Sequence, residues 1–378
     1  MPNDDGSPRN LVVCCDGTNN EFGIENTNVV RLMQSLSRDT TIQCIYYDPG
    51  VGTLPLPGPI TRGGQWVTKV AGLAFGAGLI GKVERAYRFL MHNHREGDAI
   101  YLFGFSRGAY TVRVLASLLH TYGLLAPGHD NLLPYVLKQF GAARSRLDKG
   151  GPKAEAWWRV CDEFRRTFSR PVTSEPDRRM PVHFLGAWDT VSSVGWAWDP
   201  KIYPFTARNP SIAKVRHAIA VDERRAFFRT NRFLPVDGQD LVQLWFPGVH
   251  ADVGGGYPEE EGGLWRVAFE WMLEEAVDAG LHVDPTALKA VRERTPSPER
   301  PWAERKHESL TWKWWPAEFF PKLRRYEALH RRLPHMGLTG RRREMKATDR
   351  LHSSVELRSA DAALNYRPKN PGYGLVMR

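Results

Sequence analysis

The amino-acid sequence predicts an α/β fold built on a doubly wound, mostly parallel sheet. Short apolar runs, each about as long as a buried strand, alternate with longer stretches in which apolar residues recur with helical spacing. The chain has 378 residues, of which 42% are hydrophobic and 25% are charged, as in ordinary globular proteins. No apolar run approaches the roughly 20 residues that are needed to span a bilayer. Wholly disordered and fibrous classes are therefore excluded, and we expect no transmembrane helix.

The predicted strands are apolar runs that end in polar or turn-forming residues, and the predicted helices carry apolar side chains at i, i+3, i+4 and i+7. The strands cover residues 11–15, 42–47, 99–103, 182–187 and 241–246, and the helices include residues 83–90, 112–119 and 264–271.

The composition changes at two places along the chain. The stretch 127–180 is polar, basic and helical in character, and beyond about residue 285 proline, arginine and tryptophan are frequent. We therefore expect one domain over residues 9–378. Its core would comprise 9–126 and 181–284, with a helical insertion or cap at 127–180 and an irregular, aromatic and basic C-terminal extension at 285–378.

The first residues are polar and acidic, and they lack the basic and apolar regions of a signal peptide. We expect synthesis in the cytoplasm, without export by the ordinary secretory route. The cysteines do not have the paired spacing of zinc ligands, and most of them lie in apolar runs, so they are predicted to be reduced core residues. They are Cys14, Cys15, Cys44 and Cys161. We expect no metal and no cofactor.

The charge balance favours an anionic partner. The 52 basic side chains exceed the 42 acidic ones, which gives a net charge of +10 and an isoelectric point near 9.5. Much of the excess lies in Lys322-Leu323-Arg324-Arg325 and Arg341-Arg342-Arg343, which we interpret as a solvated basic face rather than a binding patch. Trp312, Trp314 and Trp315 precede these cations, a combination that suits peripheral contact with a bilayer but is also compatible with burial against the domain.

The segment Gly104-Phe105-Ser106-Arg107-Gly108 lies between a predicted strand and a predicted helix. This is the G-x-S-x-G nucleophile elbow in the context that it requires, a strand followed by a sharp turn and a helix. The turn would lift the hydroxyl of Ser106 clear of the sheet. The backbone N–H of Arg107, at the start of the helix, could then face a developing oxyanion.

A serine nucleophile needs a base, and the base needs an acid that orients it. Asp189 follows the strand at 182–187, and His250 follows the strand at 241–246. The carboxyl ends of parallel strands meet at one edge of a sheet, and the order Ser106, Asp189, His250 is that of α/β-hydrolases. The sequence therefore predicts a catalytic triad of these three residues.

Two further groups are candidates for supporting roles. Asp16-Gly17-Thr18 ends the first strand, so an N–H of Gly17 or Thr18 would supply a second oxyanion donor. Asp252 competes with Asp189 for the role of the acid. It lies only two residues from His250, so we expect it not to reach the imidazole from the correct side, and we favour Asp189.

Other function classes use the same residues. A metal-dependent phosphoesterase would employ Asp16, Asp189, Asp252 and His250 as ligands, because these side chains follow strand ends. A non-catalytic module that binds anionic membranes or nucleic acid would account for the net charge and the tryptophans. We favour the serine hydrolase and do not expect a nucleic-acid partner.

The chain resembles the catalytic domain of the type VI secretion phospholipase effectors, an α/β-hydrolase family. The resemblance runs from about residue 9 to residue 370, and its elbow and His-x-Asp-x-Gly-Gly-Gly motifs are specific. The matching segments are Asp16–Asn20, Gly97-Asp98, Gly104–Tyr110, Trp188–Val191, Arg216–Ala218, Asp222–Arg225, Gly248–Tyr257 and His352–Val355.

The resemblance places the family's triad on Ser106, Asp189 and His250. It implies carboxylic esters as substrates, with the acyl chains of glycerophospholipids as the expected class. It also implies delivery outside the cell by a dedicated secretion system, and a secretion-system or immunity protein as a partner.

Overall fold

Seven strands form one sheet in which every neighbouring pair runs parallel. The structure, a computed structural model, describes residues 8–17, 26–50, 78–143, 150–191, 195–196, 199–200, 203–225, 228–294, 299–318, 321–326, 331–336, 340 and 342–376. Its strands are β1 Asn10–Cys15, β2 Gln43–Asp48, β3 Ala99–Phe105, β4 Val182–Trp188, β5 Gly195–Trp196, β6 Asp199–Pro200, β7 Ile212–Ala220, β8 Asp240–Phe246, β9 Pro321–Tyr326, β10 Arg331–Met336 and β11 Arg350–Leu351. The order in the sheet is β11–β8–β7–β4–β3–β1–β2, and the predicted α/β fold is confirmed.

Two small antiparallel pairs, β5–β6 and β9–β10, lie outside this sheet. The helices are α1 Asn28–Ser35, α2 Leu79–Asn93, α3 Arg107–Tyr122, α4 Leu133–Gly141, α5 Gly151–Phe168, α6 His250–Gly254, α7 Trp265–Asp278, α8 Pro285–Arg292, α9 Trp315–Glu318, α10 Ser353–Ala360 and α11 Tyr373–Val376.

Helices cover both faces of the sheet, and strand β1 illustrates how the sequence divides them. Leu11 and Val13 point into a buried cluster that includes residues of α2, α3, α4 and α5. Val12 and Cys14 point to the opposite face, into a cluster with residues of α1, α7 and α8. A strand that is buried on both faces is apolar at every position, which is why β1 appears in the sequence as a continuous apolar run.

The central strand β7 was not predicted from the sequence, because charged and polar residues interrupt its apolar pattern. Arg216 forms ion pairs with Asp240 at 2.7 Å and with Glu275 at 2.5 Å. His217 is fully buried, its Nδ1 lies 3.1 Å from the side-chain oxygen of Gln243, and burial lowers its pKa to about 3. These partners allow polar side chains to occupy the middle of a buried sheet.

The parallel arrangement brings the carboxyl ends of the strands to one edge of the sheet. Asp16 follows β1, Ser106 follows β3, Asp189 follows β4, Asp222 follows β7 and His250 lies shortly after β8. The chain builds from β1 towards β2 and then resumes on the other side of β1 with β3, so the topological switch point lies between β1 and β3. Open α/β sheets bind their ligands at such a point.

The C-terminal segment, residues 342–376, completes the far edge of the sheet. Its strand β11 pairs in parallel with β8, and Met345, Val355 and Tyr366 pack against Ile219 and Trp245 in a third buried cluster. The segment is thus joined to the two strands whose carboxyl ends carry Asp222 and His250.

Each helix within the described ranges is too short or too polar to cross a bilayer. Cys14, Cys15 and Cys161 are buried, as predicted for core residues, whereas Cys44 is only partly buried.

Candidate active site

Ser106 occupies a strained turn between β3 and α3. Its backbone has φ 58° and ψ −119°, a conformation that side-chain-bearing residues rarely adopt. Strand β3 ends at Phe105 and helix α3 begins at Arg107, so a single residue makes the whole turn. This is the strand–turn–helix geometry that the G-x-S-x-G pattern predicts.

The two glycines of the pattern are required by close backbone approaches. A β-carbon at Gly104 would lie 2.6 Å from the backbone of Gly108 and Ala109. A β-carbon at Gly108 would lie 2.0 Å from the carbonyl oxygen of Cys15 at the end of β1. Contacts this short do not occur in proteins, so any larger residue at either position would push the turn away from the sheet.

Asp189 is fully buried at the end of β4, with φ 39°. Its Oδ2 lies 2.5 Å from His250 Nδ1, and its Oδ1 accepts the amide of Ala220 at 2.9 Å. Arg343 binds both oxygens, Nη1 to Oδ1 at 2.6 Å and Nη2 to Oδ2 at 2.9 Å. Burial alone would raise the pKa of Asp189, but the Arg343 charge and the His250 hydrogen bond outweigh it and hold the pKa well below its usual range.

His250 is the first residue of α6 and is 5% exposed. Its ring lies between Phe105, at 4.6 Å between ring centroids, and Phe228, at 4.7 Å. Burial lowers the pKa of His250 below its ordinary value of 6.5, although Asp189 acts in the opposite direction. Since Nδ1 faces a carboxylate, it carries the proton of the neutral ring, and Nε2 is left with a lone pair that can accept one.

The Ser106 backbone is hydrogen-bonded to the segment that carries Asp189. Its amide donates to the carbonyl oxygen of Trp188 at 3.0 Å, and its own carbonyl oxygen accepts the amide of Val191 at 3.4 Å. These two bonds attach the Ser106 backbone to the chain on either side of Asp189. The ring of the preceding residue, Phe105, contacts the His250 imidazole. The structure therefore brings the three residues of the predicted triad to one part of the sheet edge.

The predicted oxyanion donors have different surroundings. The Arg107 amide is the first of helix α3, at the positive end of the helix dipole. The Gly17 amide instead donates to Asp16 Oδ1 at 2.6 Å, so its hydrogen is already used and a donor role for Gly17 does not fit this arrangement. Thr18 lies outside the described residues. Asp16 also accepts the hydroxyls of Thr27 at 2.7 Å and Tyr47 at 3.1 Å, and it therefore holds the end of β1 in place.

Asp252 is bonded to a different histidine. Its Oδ1 lies 2.6 Å from His307 Nδ1, and its Oδ2 accepts the amide of Val249 at 2.9 Å. The His307 ring is buried and stacks on Tyr257 at 3.7 Å. Asp252 therefore supports the loop that carries His250, while Asp189 contacts the His250 imidazole itself.

Sequence reasoning missed two residues of this site. Arg343 was interpreted as part of a solvated basic face, and this is wrong for Arg343, which is 9% exposed and bound to Asp189. Glu223 is buried, accepts the backbone amide of His250 at 3.2 Å and pairs with Arg225 at 2.9 Å. The segment Asp222–Arg225, shortly after β7, was among those that resemble the family, but without β7 as a strand nothing placed Glu223 at the same sheet edge as His250.

The part of the chain that the structure describes contains no group of three or more histidine, cysteine, aspartate or glutamate side chains placed to bind a metal ion. Three carboxylates of the alternative metal site are occupied by protein donors. Asp16 is bound by hydroxyls, Asp189 by Arg343 and His250, and Asp252 by His307. Among the described residues, the metal-dependent phosphoesterase therefore lacks a ligand set.

The segment from residue 9 to residue 275 matches the family described as the type VI secretion system (T6SS), phospholipase effector Tle1-like, catalytic domain. The chain belongs to this family. Membership confirms the resemblance seen in the sequence. The matched region of the Tle1-like chain contains Ser106, Asp189, Glu223 and His250, whereas Arg343 lies beyond its end.

This Tle1-like chain aligns with only part of each of three similar proteins. Over 236 residues it is 33% identical to the uncharacterized protein YEL023C of Saccharomyces cerevisiae, an alignment that covers 61% of this chain and 33% of the relative. The crystal structure of an uncharacterized protein from Pseudomonas aeruginosa has 19% identity and a TM-score of 0.43, covering 77% of this chain and 48% of the other. The Tle1 effector bound to the VgrG spike has 21% identity and a TM-score of 0.36, covering 66% and 51%. The chain thus spans about a third of the yeast relative and about half of each of these structures.

Proposed function

We propose that this Tle1-like chain is a serine hydrolase that cleaves carboxylic esters through an acyl-enzyme. The observation that carries the proposal is the buried contact of 2.5 Å between His250 Nδ1 and Asp189 Oδ2, together with a serine in a strained strand–helix turn whose backbone is bonded on either side of Asp189. A carboxylate on Nδ1 leaves Nε2 available to take a proton, which is the arrangement that a serine nucleophile needs.

In the proposed reaction, Ser106 Oγ attacks the acyl carbonyl carbon and its proton passes to His250 Nε2. Asp189 stabilises the resulting imidazolium. The negative charge on the substrate oxygen is stabilised by the Arg107 N–H at the start of α3. The C–O bond to the alcohol then breaks, and His250 returns the proton to the leaving alcohol. A water molecule, deprotonated by His250, cleaves the acyl-serine ester, releases the acid and restores the Ser106 hydroxyl.

For the substrate we propose the acyl esters of glycerophospholipids. The support is membership of a family of phospholipase effectors, together with the apolar surroundings of the proposed base, where Phe105 and Phe228 flank the imidazole. An apolar wall next to the base suits an acyl chain and keeps water away from the reacting atoms.

The test is labelling by a fluorophosphonate probe, together with hydrolysis of short-chain nitrophenyl esters and of phospholipid vesicles. We expect the wild-type chain to be labelled and to hydrolyse these esters. Ser106→Ala should lose the label, and its turnover should fall by at least about a thousandfold. Ser117→Ala is the matched control, because this buried serine of α3 donates to Pro204 and has no part in the proposed site. A folded wild-type chain that is neither labelled nor active would overturn the proposal.

We also propose that the tryptophan-rich segment contacts the lipid surface. The side chain of Trp312 is 78% exposed and that of Trp315 is 40% exposed. Between them, Trp314 packs on Phe228 at 5.5 Å, and Phe228 in turn packs on His250. One aromatic chain thus links the surface of the protein to the proposed base, and tryptophan is the residue that favours the interface of a bilayer.

Vesicle sedimentation tests the membrane contact. The variant Trp312→Ala/Trp315→Ala should bind weakly to vesicles of phosphatidylglycerol and phosphatidylcholine, while it keeps its turnover of soluble short-chain esters. Tyr135→Ala, which truncates an exposed aromatic residue on α4, is the control and should bind like wild type. Equal vesicle binding by both variants would exclude a role for the two tryptophans.

From the family we further propose that a type VI secretion apparatus exports the protein and that an immunity protein is its partner in the producing cell. The test compares the amount of the protein in the culture medium of producing cells with and without a functional apparatus. Equal amounts in the medium would contradict the export proposal.

A further inference from the structure

Arg343 meets the carboxylate of Asp189 in a fork-to-fork arrangement inside the protein. Its Nη1 and Nη2 each bind one oxygen, at 2.6 Å and 2.9 Å. The remaining contacts of the guanidinium are to backbone carbonyl oxygens. Nη1 donates to Ala220 at 3.0 Å, and Nη2 and Nε donate to Phe228 at 2.5 Å and 3.2 Å. A planar, bidentate pair of this kind fixes orientation as well as charge.

The backbone around Arg343 is fixed to the same strand ends. Asn370 Nδ2 donates to the carbonyl oxygens of Arg343 at 3.0 Å and of Val221 at 2.9 Å. Asp222, directly after Val221, accepts the hydroxyl of Tyr366 at 2.8 Å and the amide of Gly248 at 2.9 Å. The C-terminal segment is therefore bound to the loop that follows β7. Asp222 bonds that loop in turn to the loop after β8, which carries His250.

As a result of this ion pair, the two oxygens of Asp189 have different sets of partners. Oδ1 is held by Arg343 and the Ala220 amide, and Oδ2 is shared between Arg343 and His250. Without the guanidinium, the carboxylate could rotate, and its full negative charge would act on the imidazole. The guanidinium thus bears on both the position and the charge of the group that orients His250.

We infer that Arg343 is a positioning residue for the proposed reaction, and that the C-terminal segment is therefore part of the active site. The expected effect of Arg343 on kcat rests on the proposed function, whereas its expected effect on the pKa of His250 does not. Arg343 lies outside the matched family segment, which ends at residue 275. The Arg343 guanidinium determines which oxygen of Asp189 faces His250, and it lowers the proton affinity of the His250–Asp189 pair.

Other charged and titratable groups surround the pair and stay in place in the proposed variants. Glu223 binds the His250 amide and pairs with Arg225, so these two charges offset each other. His217 lies in β7, and its Nε2 accepts the amide of Thr190 at 3.2 Å. Removal of Arg343 therefore takes away a positive charge on Asp189 that no other group among the described residues replaces.

The first test is an NMR titration of the His250 imidazole in the full chain, which needs no substrate. In Arg343→Met the pKa of His250 should rise by about one unit, because a positive charge next to the pair has been removed. In Arg343→Lys the charge is kept and the pKa should stay near the wild-type value. Arg232→Met is the matched control, since Arg232 binds Asp349 and the Glu344 carbonyl in the same segment without touching Asp189.

The second test is kinetic. Arg343→Lys loses the bidentate geometry, so kcat should fall on the order of tenfold to a hundredfold with little change in KM. The acidic limb of the pH profile of kcat/KM should stay at the wild-type pH in Arg343→Lys. In Arg343→Met it should move to higher pH. An unchanged His250 pKa in Arg343→Met, or wild-type kcat in Arg343→Lys, would overturn the inference. If Arg343→Met does not fold, Arg343→Lys decides alone by its kcat. Lack of fluorophosphonate labelling in the wild type would instead refute the proposed function, and the titration would still judge the role of Arg343.

Discussion

Gly108 packs against the carbonyl oxygen of Cys15 so closely that a β-carbon at position 108 would lie 2.0 Å from it. The first turn of α3 and the end of β1 are therefore in direct backbone contact. This contact fixes the position of the proposed nucleophile and the first amide of α3 relative to Asp16.

Gly108→Ala is expected to destabilise the protein by at least about 3 kcal/mol, because the methyl group must displace either the helix or the strand. The displacement would also move Ser106, so esterase turnover should fall in the fraction of protein that stays folded. Chemical denaturation and ester hydrolysis measure the two effects.

Gly141→Ala is the control for this substitution. Gly141 ends helix α4, and a β-carbon there would meet nothing within 4 Å. Alanine in a helix is favoured over glycine by about 0.5–1 kcal/mol, so this variant should be as stable as wild type or slightly more stable. Equal stability of the two variants would contradict the close contact at Gly108.

Substitution of the two carboxylates distinguishes between the candidate acids. Asp189→Asn should lower kcat on the order of a thousandfold or more, because an amide no longer favours the tautomer with the proton on Nδ1. Asp252→Asn keeps an oxygen for the Val249 amide and does not touch His250, so its kcat should fall by less than about tenfold. Steady-state kinetics on a short-chain ester measure both. The opposite ranking would assign the acid role to Asp252.

The pH dependence follows from the surroundings of His250. Only the neutral imidazole can accept the Ser106 proton, so activity is lost as the pH falls through the pKa of His250 in the folded protein. Burial lowers that pKa below the ordinary 6.5. The acidic limb of kcat/KM should therefore lie below pH 6.5. A limb above pH 6.5 would show that the Asp189 charge outweighs burial at His250.

Metal dependence separates the two hydrolytic mechanisms considered for this sequence. The described carboxylates of the site are bound by arginine, histidine and hydroxyl groups, so ester hydrolysis should be unchanged after treatment with EDTA and gel filtration. Addition of Zn²⁺ or Mg²⁺ should then have no stimulating effect. Loss of activity with EDTA and its recovery with either ion would support the metal-dependent phosphoesterase instead.

The elbow could be predicted because its signal is local. A buried apolar strand, two glycines at fixed positions around a serine, and a helix with apolar spacing all lie within residues 99–119. The positions of Asp189 and His250 follow from the same logic, since each comes after an apolar run and parallel strands share one carboxyl edge.

Strand β7 and the role of Arg343 depend on contacts between distant parts of the chain. Arg216 is acceptable in a central strand only because Asp240 and Glu275 fold against it, and neither is near it in the sequence. The partner of Arg343 lies 154 residues away, so a run of three arginines gives no indication that one of them is buried. Charge patterns identify a solvated face on average, but a single buried ion pair is not visible in them.

The place of Arg343 and β11 in the chain has a consequence for biosynthesis. Ribosomes make a chain from its amino terminus, and β11 is the last strand of the sheet to be made. Until residue 343 has left the exit tunnel, Asp189 lacks the Arg343 guanidinium. Until β11 follows, β8 is an edge strand of the nascent sheet. A ribosome-bound chain that stops before these residues therefore contains Ser106 and His250 but lacks the ion pair between Arg343 and Asp189. The proposed active site would therefore be complete only after translation has passed residue 343.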